Sequence, residues 1–113
     1  MIQILHNPKC QKSREGITLL EQSGEPFEVI KYLESTPSFE ELKQIIEKLG
    51  IAPIDLIRQK EVLWKENFST QTFNNDELIQ LMVAHPKLIE RPIVINGNKA
   101  VIGRPVEKII TII

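Results

Sequence analysis

One stretch gathers most of the reactive chemistry in this chain: His6-Asn7-Pro8-Lys9-Cys10-Gln11-Lys12-Ser13-Arg14. Cys10 is the only cysteine, and it falls where a short apolar run, Ile2 to Leu5, hands over to a helical pattern. A thiol at a helix N-terminus faces unpaired backbone N–H groups and the positive end of the macrodipole, and both favour thiolate. Lys9, Lys12 and Arg14 add cations nearby. Ser13, three residues on, is spaced to donate its hydroxyl to the sulfur. Arg14, one helical turn on, can reach back or point to solvent, and His6 would help if protonated.

Magnitudes show what such a thiol still needs. At a pKa of about 8.5 only a few per cent is thiolate at pH 7. Lowering that value by about two units takes roughly 2.7 kcal/mol, whereas an exposed helix terminus contributes about 0.3–1 kcal/mol. Further cations or hydrogen bonds must make up the difference. The competing reading is that a lone cysteine is a small buried hydrophobe, which the polar flank Gln11-Lys12-Ser13 opposes. His6 equally fits a ring hydrogen-bonded at a strand end, and Ser13 and Arg14 by themselves fit an ordinary polar helix face.

The elements that must position these residues follow from pattern and punctuation. Ile2 to Leu5 reads as a buried strand ended by Asn7-Pro8. Gln11 to about Gln22 reads as an amphipathic helix stopped by Gly24, and Phe27 to Tyr32 as a second strand. Ser38 and Glu41 have capping-box spacing ahead of Leu42, Ile45, Ile46 and Leu49. A short helix over Ile51 to about Lys60 opens near Pro53; Glu61 to Thr72 has no regular pattern. Asn75 is read as the cap of a helix carrying Leu78, Leu81 and Met82. Pro92 starts a strand, Asn96-Gly97 is read as a two-residue turn, and Lys99 to Ile102 returns. Pro105 opens a final helix through Ile109 and Ile110. This order, strand-helix-strand, helical middle, hairpin, closing helix, implies one α/β domain over 1–113 with helices on a small mixed sheet.

Composition narrows the partners. The chain has 113 residues, 14 Lys and Arg against 15 Asp and Glu, and a formal charge of −1. That balance provides no bulk attraction to nucleic acid or anionic membrane, so anion chemistry must come from a local arrangement. No apolar run approaches the roughly 20 residues of a membrane span, and the first five residues do not make a signal peptide. A cytoplasmic protein is expected. One cysteine and two distant histidines make a poor metal site, so no bound metal or cofactor is expected. The largely polar helices suggest a monomer.

Cys10-Gln11-Lys12-Ser13 resembles a thioredoxin-type CxxC motif with serine in place of the second cysteine. The wider set is more specific. The string HNPxCxxSR, the segment RQKE with Arg58, ERPIV with Arg91 and Pro92, and IGRP with Arg104 together resemble the glutaredoxin-linked arsenate reductase family, in its short chromosomal branch, from about Ile4 to Ile113. The resemblance implies a thioredoxin-like fold with a helical insertion between the second strand and the hairpin. It also implies a cis Arg91-Pro92 bond that sets Arg91 beside Cys10. It assigns Cys10 as nucleophile and Arg58, Arg91 and Arg104 as ligands of the oxyanion; His6, Asn7, Ser13 and Arg14 are read as the supporting residues. Guanidinium forks suit tetrahedral oxyanions because they offer paired, permanently charged donors. Arsenate or a similar oxyanion is then the substrate, glutathione the co-substrate that replaces the absent second thiol, and glutaredoxin the partner that resets the enzyme. Two alternatives stand beside it. One is a monothiol, glutathione-dependent thiol-disulfide oxidoreductase without arsenate specificity. The other is an RNA polymerase-binding regulator of related fold, which Ser13 disfavours because no CxxC redox switch can form.

Overall fold

Ile2-Gln3-Ile4-Leu5 is β-branched at alternate positions, and a strand that presents Ile2 and Ile4 on one face buries both. In the computed structural model, which describes residues 1–113, these residues form β1 (Ile2–Leu5). There follow α1 (Gln11–Ser23), β2 (Phe27–Ile30), α2 (Phe39–Leu49), α3 (Val62–Asn67), α4 (Asn75–Ala84), β3 (Ile93–Asn96) and β4 (Lys99–Ile102). Short 3-10 helices lie at Pro53–Leu56, Pro86–Leu88 and Val106–Ile112. The chain divides into two compact units: Met1–Ser35 with Arg91–Ile113, and Thr36–Glu90. The second is the helical insertion that the family resemblance implied.

The first unit is a four-stranded mixed sheet in the order β2-β1-β3-β4. β1 runs parallel to β2 and antiparallel to β3, which pairs antiparallel with β4. The register sets Ile4 opposite Val29 on one side and Val94 on the other. Ile2, Ile4 and Val94 pack with Leu20 of α1 and Ile109 of the last 3-10 helix into one buried cluster. Full burial of a side chain such as Leu20 stabilises by about 1.5–3 kcal/mol. α1 buries Ser13, Gly16 and Leu20, at i, i+3 and i+7, and stops at Gly24, whose φ of 75° suits glycine.

Two glycines let the polypeptide close on Pro92. A Cβ on Gly16 would lie 3.1 Å from Pro92 Cγ, and one on Gly103 also 3.1 Å from the same atom. The proline ring therefore occupies room that any larger residue at either position would fill. The Gly103 amide also donates to the Pro92 carbonyl at 2.9 Å. The Arg91-Pro92 bond is cis, as the resemblance implied, and Arg104-Pro105 is cis as well.

In the second unit α2 opens with the expected capping box of Ser38 and Glu41 and buries Leu42, Ile45 and Ile46. Five sequence readings shift. The cap of α4 is Asn74, not Asn75; its Oδ1 accepts the Glu77 amide at 2.8 Å. The helix read over Ile51 to Lys60 contracts to Pro53–Leu56. After it the chain is extended at Ile57, which bridges Ile89, the Arg58 amide donates to the Leu88 carbonyl at 2.7 Å, and Gln59 and Lys60 turn. The patternless stretch after Glu61 holds α3, held by tertiary aromatic packing of Trp64 on Phe68 and Phe73 with centroids 6.3 Å away in each case. In the first unit, the hairpin turn is Gly97-Asn98, because Asn96 pairs with Lys99. Gly97, with φ 64°, is then the first central residue, where a type II′ turn needs glycine. The closing helix is 3-10 rather than α.

Gly16→Ala sets two effects against each other. Removing an interior helical glycine gains about 0.8–1 kcal/mol of propensity, but overpacking against a rigid ring costs about 1–3 kcal/mol. The ring wins because it cannot yield as the Ile4 and Ile109 side-chain ends can. The variant is expected to be about 1 kcal/mol less stable, lowering Tm by roughly 4–8 °C in a thermal melt; an unchanged or higher Tm would show that the contact at Pro92 relaxes freely.

Candidate functional site

Cys10 is the N-cap of α1, with extended backbone at φ −98° and ψ 122°. Its amide donates to the Asn7 carbonyl at 3.0 Å, which closes the turn from β1, and its own carbonyl accepts the Arg14 amide at 3.0 Å, which starts the helix. The thiol makes no conventional cap bond, so the amides of the first turn are left to act on the sulfur. Cys10 is nearly buried.

Burial pushes the Cys10 thiol up, yet its net direction is below the ordinary thiol value. The Ser13 amide, the positive charge of Arg91, the Lys12 amide and a hydrogen bond from the Arg91 side chain together outweigh burial. The amides of Lys12 and Ser13 are the second and third of α1, so the helix-terminus reading of the sequence holds in detail. Arg91 brings the extra cation that magnitudes required, from a strand end about eighty residues away in sequence.

The supporting residues are knotted together differently from the sequence expectation. The Ser13 hydroxyl does not serve the sulfur. It lies 2.6 Å from His6 Nδ1 and accepts the Asn7 amide at 2.9 Å. Ser13 is fully buried and His6 nearly so, and a buried hydroxyl must find partners where it sits. Ser13 therefore aids the thiolate through its backbone rather than its side chain. Asn7 fixes the preceding turn, its Oδ1 accepting the Lys9 amide at 3.0 Å. Burial first, then the charges of Lys31 and Arg14, push the His6 pKa down, against an opposing contact with the Ser13 backbone. His6 is thus neutral at pH 7 and provides structure, not charge. Arg14 reaches back, but to the Pro8 carbonyl at 2.9 Å.

Of the three arginines, Arg91 and Arg104 belong to the first unit. Arg104 Nη1 donates to the Arg91 carbonyl at 3.4 Å, a long bond that links the two residues preceding the cis prolines. Arg58 belongs to the second unit. There its guanidinium meets Glu61 at 3.3 Å and Glu90 at 3.9 Å and donates to the Lys87 carbonyl at 3.2 Å. Glu61 and Glu90 were not singled out in the sequence; Glu61 stands three residues after Arg58, the spacing of a one-turn ion pair. No group of three or more His, Cys, Asp and Glu side chains could hold a metal ion, and no helix is long and apolar enough to cross a membrane.

Comparison with known proteins places this geometry in a lineage. A family model described as the ArsC family matches residues 5–112. An arsenate reductase of Neisseria meningitidis serogroup A is 46% identical over 110 residues, covering 96% of this chain and 94% of that protein. A longer Escherichia coli arsenate reductase is 37% identical, covering 99% of this chain and 80% of its own length. Among solved structures, an arsenate reductase from Vibrio cholerae superposes with a TM-score of 0.94 at 47% identity, covering 99% of this chain and 97% of that one. A fold shared over nearly the full length, at this identity, means that the chain belongs to the ArsC family within the thioredoxin-like superfamily.

Proposed function

We propose that the chain is an arsenate reductase with Cys10 as its nucleophile. The observation that carries this reading is the Arg91 guanidinium beside a nearly buried thiol whose pKa is lowered. An anion-binding fork next to a thiolate suits attack of sulfur on a tetrahedral oxyanion. The arsenate reductases of Neisseria meningitidis and Vibrio cholerae support the choice of oxyanion.

The chemistry balances in two steps. The Cys10 thiol and arsenate form a sulfur–arsenic bond, and one arsenic–oxygen bond breaks to release water. The thiol of glutathione then attacks the Cys10 sulfur. A disulfide forms, the sulfur–arsenic electron pair passes to arsenic, and arsenic falls from the +5 to the +3 state and leaves as arsenite. The sole cysteine cannot resolve itself, so Cys10 is left as a mixed disulfide that glutaredoxin clears by thiol–disulfide exchange. Arg91 and Arg104 would hold the oxyanion and offset the charge that develops on its oxygens. Arg58 enters as the third oxyanion ligand on the strength of the motif alone. The protein would work as a cytoplasmic monomer with no bound cofactor.

NADPH oxidation coupled through glutathione, glutaredoxin and glutathione reductase tests the reading. Arsenate-dependent turnover is expected in the wild type and none in Cys10→Ser. Arg91→Ala should lower kcat/KM by about 10²–10³-fold, the loss typical of one donor to a developing oxyanion, and Arg58→Ala should raise the KM for arsenate. No arsenate dependence in the wild type would instead favour a glutathione-dependent oxidoreductase acting on protein disulfides.

The thiol can also be titrated directly. The thiolate fraction rises as pH passes upward through the thiol pKa, so a lowered pKa moves the rise toward acid. Alkylation of Cys10 by iodoacetamide is expected to have its midpoint on the acid side of that of an unperturbed cysteine thiol. In Arg91→Ala that midpoint should move alkaline, because burial then meets less opposition. Coincident midpoints for the two proteins would remove Arg91 from the thiolate's support.

A further inference from the structure

A single-cysteine site leaves the second thiol to be supplied from outside, and the fold has a cleft where that thiol's carrier fits. Gln11, Arg14, Thr18 and Gln22 are exposed on α1 at spacings of three, four and four, so they form one stripe along the helix. Such a stripe ordinarily faces open solvent. Here Val106, from the 3-10 helix that packs beside α1, borders it on one side, so that the stripe floors a shallow, open groove of about 380 Å³. That volume lies within the roughly 300–1,000 Å³ of small-molecule sites. The cleft begins at Gln11, the residue after the reactive cysteine.

We propose that this cleft binds the reducing co-substrate as a short peptide thiol carrying both carboxylate and ammonium groups, as glutathione does; the proposal rests on the reductase reading above. Length, charge and surface all agree. The eleven helical steps from Gln11 to Gln22 span about 16 Å, whereas a fully extended tripeptide reaches about 11 Å. The lining holds one cation and one anion, Arg14 and Glu15; one Glu15 oxygen meets Lys12 at 3.7 Å, and a ligand's ammonium would share that carboxylate, the pair together suiting a zwitterion. Arg14 is already anchored by one N–H on the Pro8 carbonyl, which pre-orients the fork and leaves its other donors for a carboxylate. Leu19 and Val106 provide the apolar contact that a peptide backbone and methylenes need. The groove starts one residue from Cys10, so a peptide bound with its thiol toward Gln11 would present it at the end of α1 where the sulfur–arsenic bond must be attacked.

Thr18→Glu tests the cleft. Glutamate is a better helix former than threonine, so the helix persists. Its carboxylate stands four residues from Arg14 and would occupy the fork. Titration of unreactive S-methylglutathione by calorimetry is expected to show binding to the wild type, with Kd at least about tenfold higher for Thr18→Glu and for Arg14→Gln. Absence of binding to the wild type, or equal Kd values in all three proteins, would overturn the proposal. In the coupled assay, Thr18→Glu should raise the KM for glutathione by a similar factor while leaving that for arsenate unchanged. A wild type that binds S-methylglutathione but shows no arsenate-dependent turnover would sink the reductase reading and keep the cleft.

Discussion

The packing of Pro92 between Gly16 and Gly103 is the constraint from which the site follows. Because neither glycine has a side chain, α1 and the end of β4 both approach the ring to van der Waals contact. Arg91 is bonded to that ring, and Cys10 caps the helix that Gly16 belongs to, so one tight apolar contact sets the position of a cation and a thiol remote in sequence. The contact is apolar and fully packed, and close-packed interiors transmit small displacements instead of absorbing them. A site built on such a contact keeps its geometry before substrate arrives, which is what preorganised charge stabilisation requires.

Around that contact the acidity of the thiol is set by several modest effects, none sufficient alone. Burial raises the thiol's pKa, and two backbone amides with one guanidinium reverse it. The remaining polar groups are spent on each other. The Ser13 hydroxyl serves His6 and the Asn7 amide, so the turn between β1 and α1 is fixed by buried hydrogen bonds whose partners are all accounted for. A neutral His6 suits that role, since a cation there would carry a desolvation cost of its own. In the second unit Arg58 is met by two carboxylates, which hold its fork in place without burying an unpaired charge.

Much of this was legible in the sequence because it is local. A short apolar run marked β1, Gly24 marked a helix end at positive φ, and Ser38 with Glu41 announced a real capping box. The position of Cys10 at a helix start followed from its neighbours. What could not be read depends on contacts made by folding. α3 is a six-residue helix, too short to persist on propensity, and exists because Trp64 has Phe68 and Phe73 to pack on. The helix expected after Ile51 is interrupted by the pairing of Ile57 with Ile89. The Ser13 hydroxyl was assigned to the sulfur by spacing alone, and burial next to His6 redirected it. Asn96-Gly97 is a strong turn signal, but strand pairing moved the turn one residue on. The grouping of Arg91 with Cys10 came from motif resemblance; no periodicity connects residues so distant.

The first unit is assembled from both ends of the chain, with β1 in the middle of the sheet between β2 and a strand that begins at Ile93. A ribosome delivers the N-terminal end first, at about 5–20 residues per second, so Arg91 is synthesised roughly 4–16 s after Cys10. Throughout that interval β1 has only its parallel neighbour to pair with, and a two-stranded parallel fragment is not stable in water. The cysteine therefore emerges as an ordinary, largely protonated thiol, sluggish toward oxidants and electrophiles. Arg91 joins it only when about four-fifths of the polypeptide has been made, so that a product truncated before that residue carries the thiol without the cation that lowers its pKa.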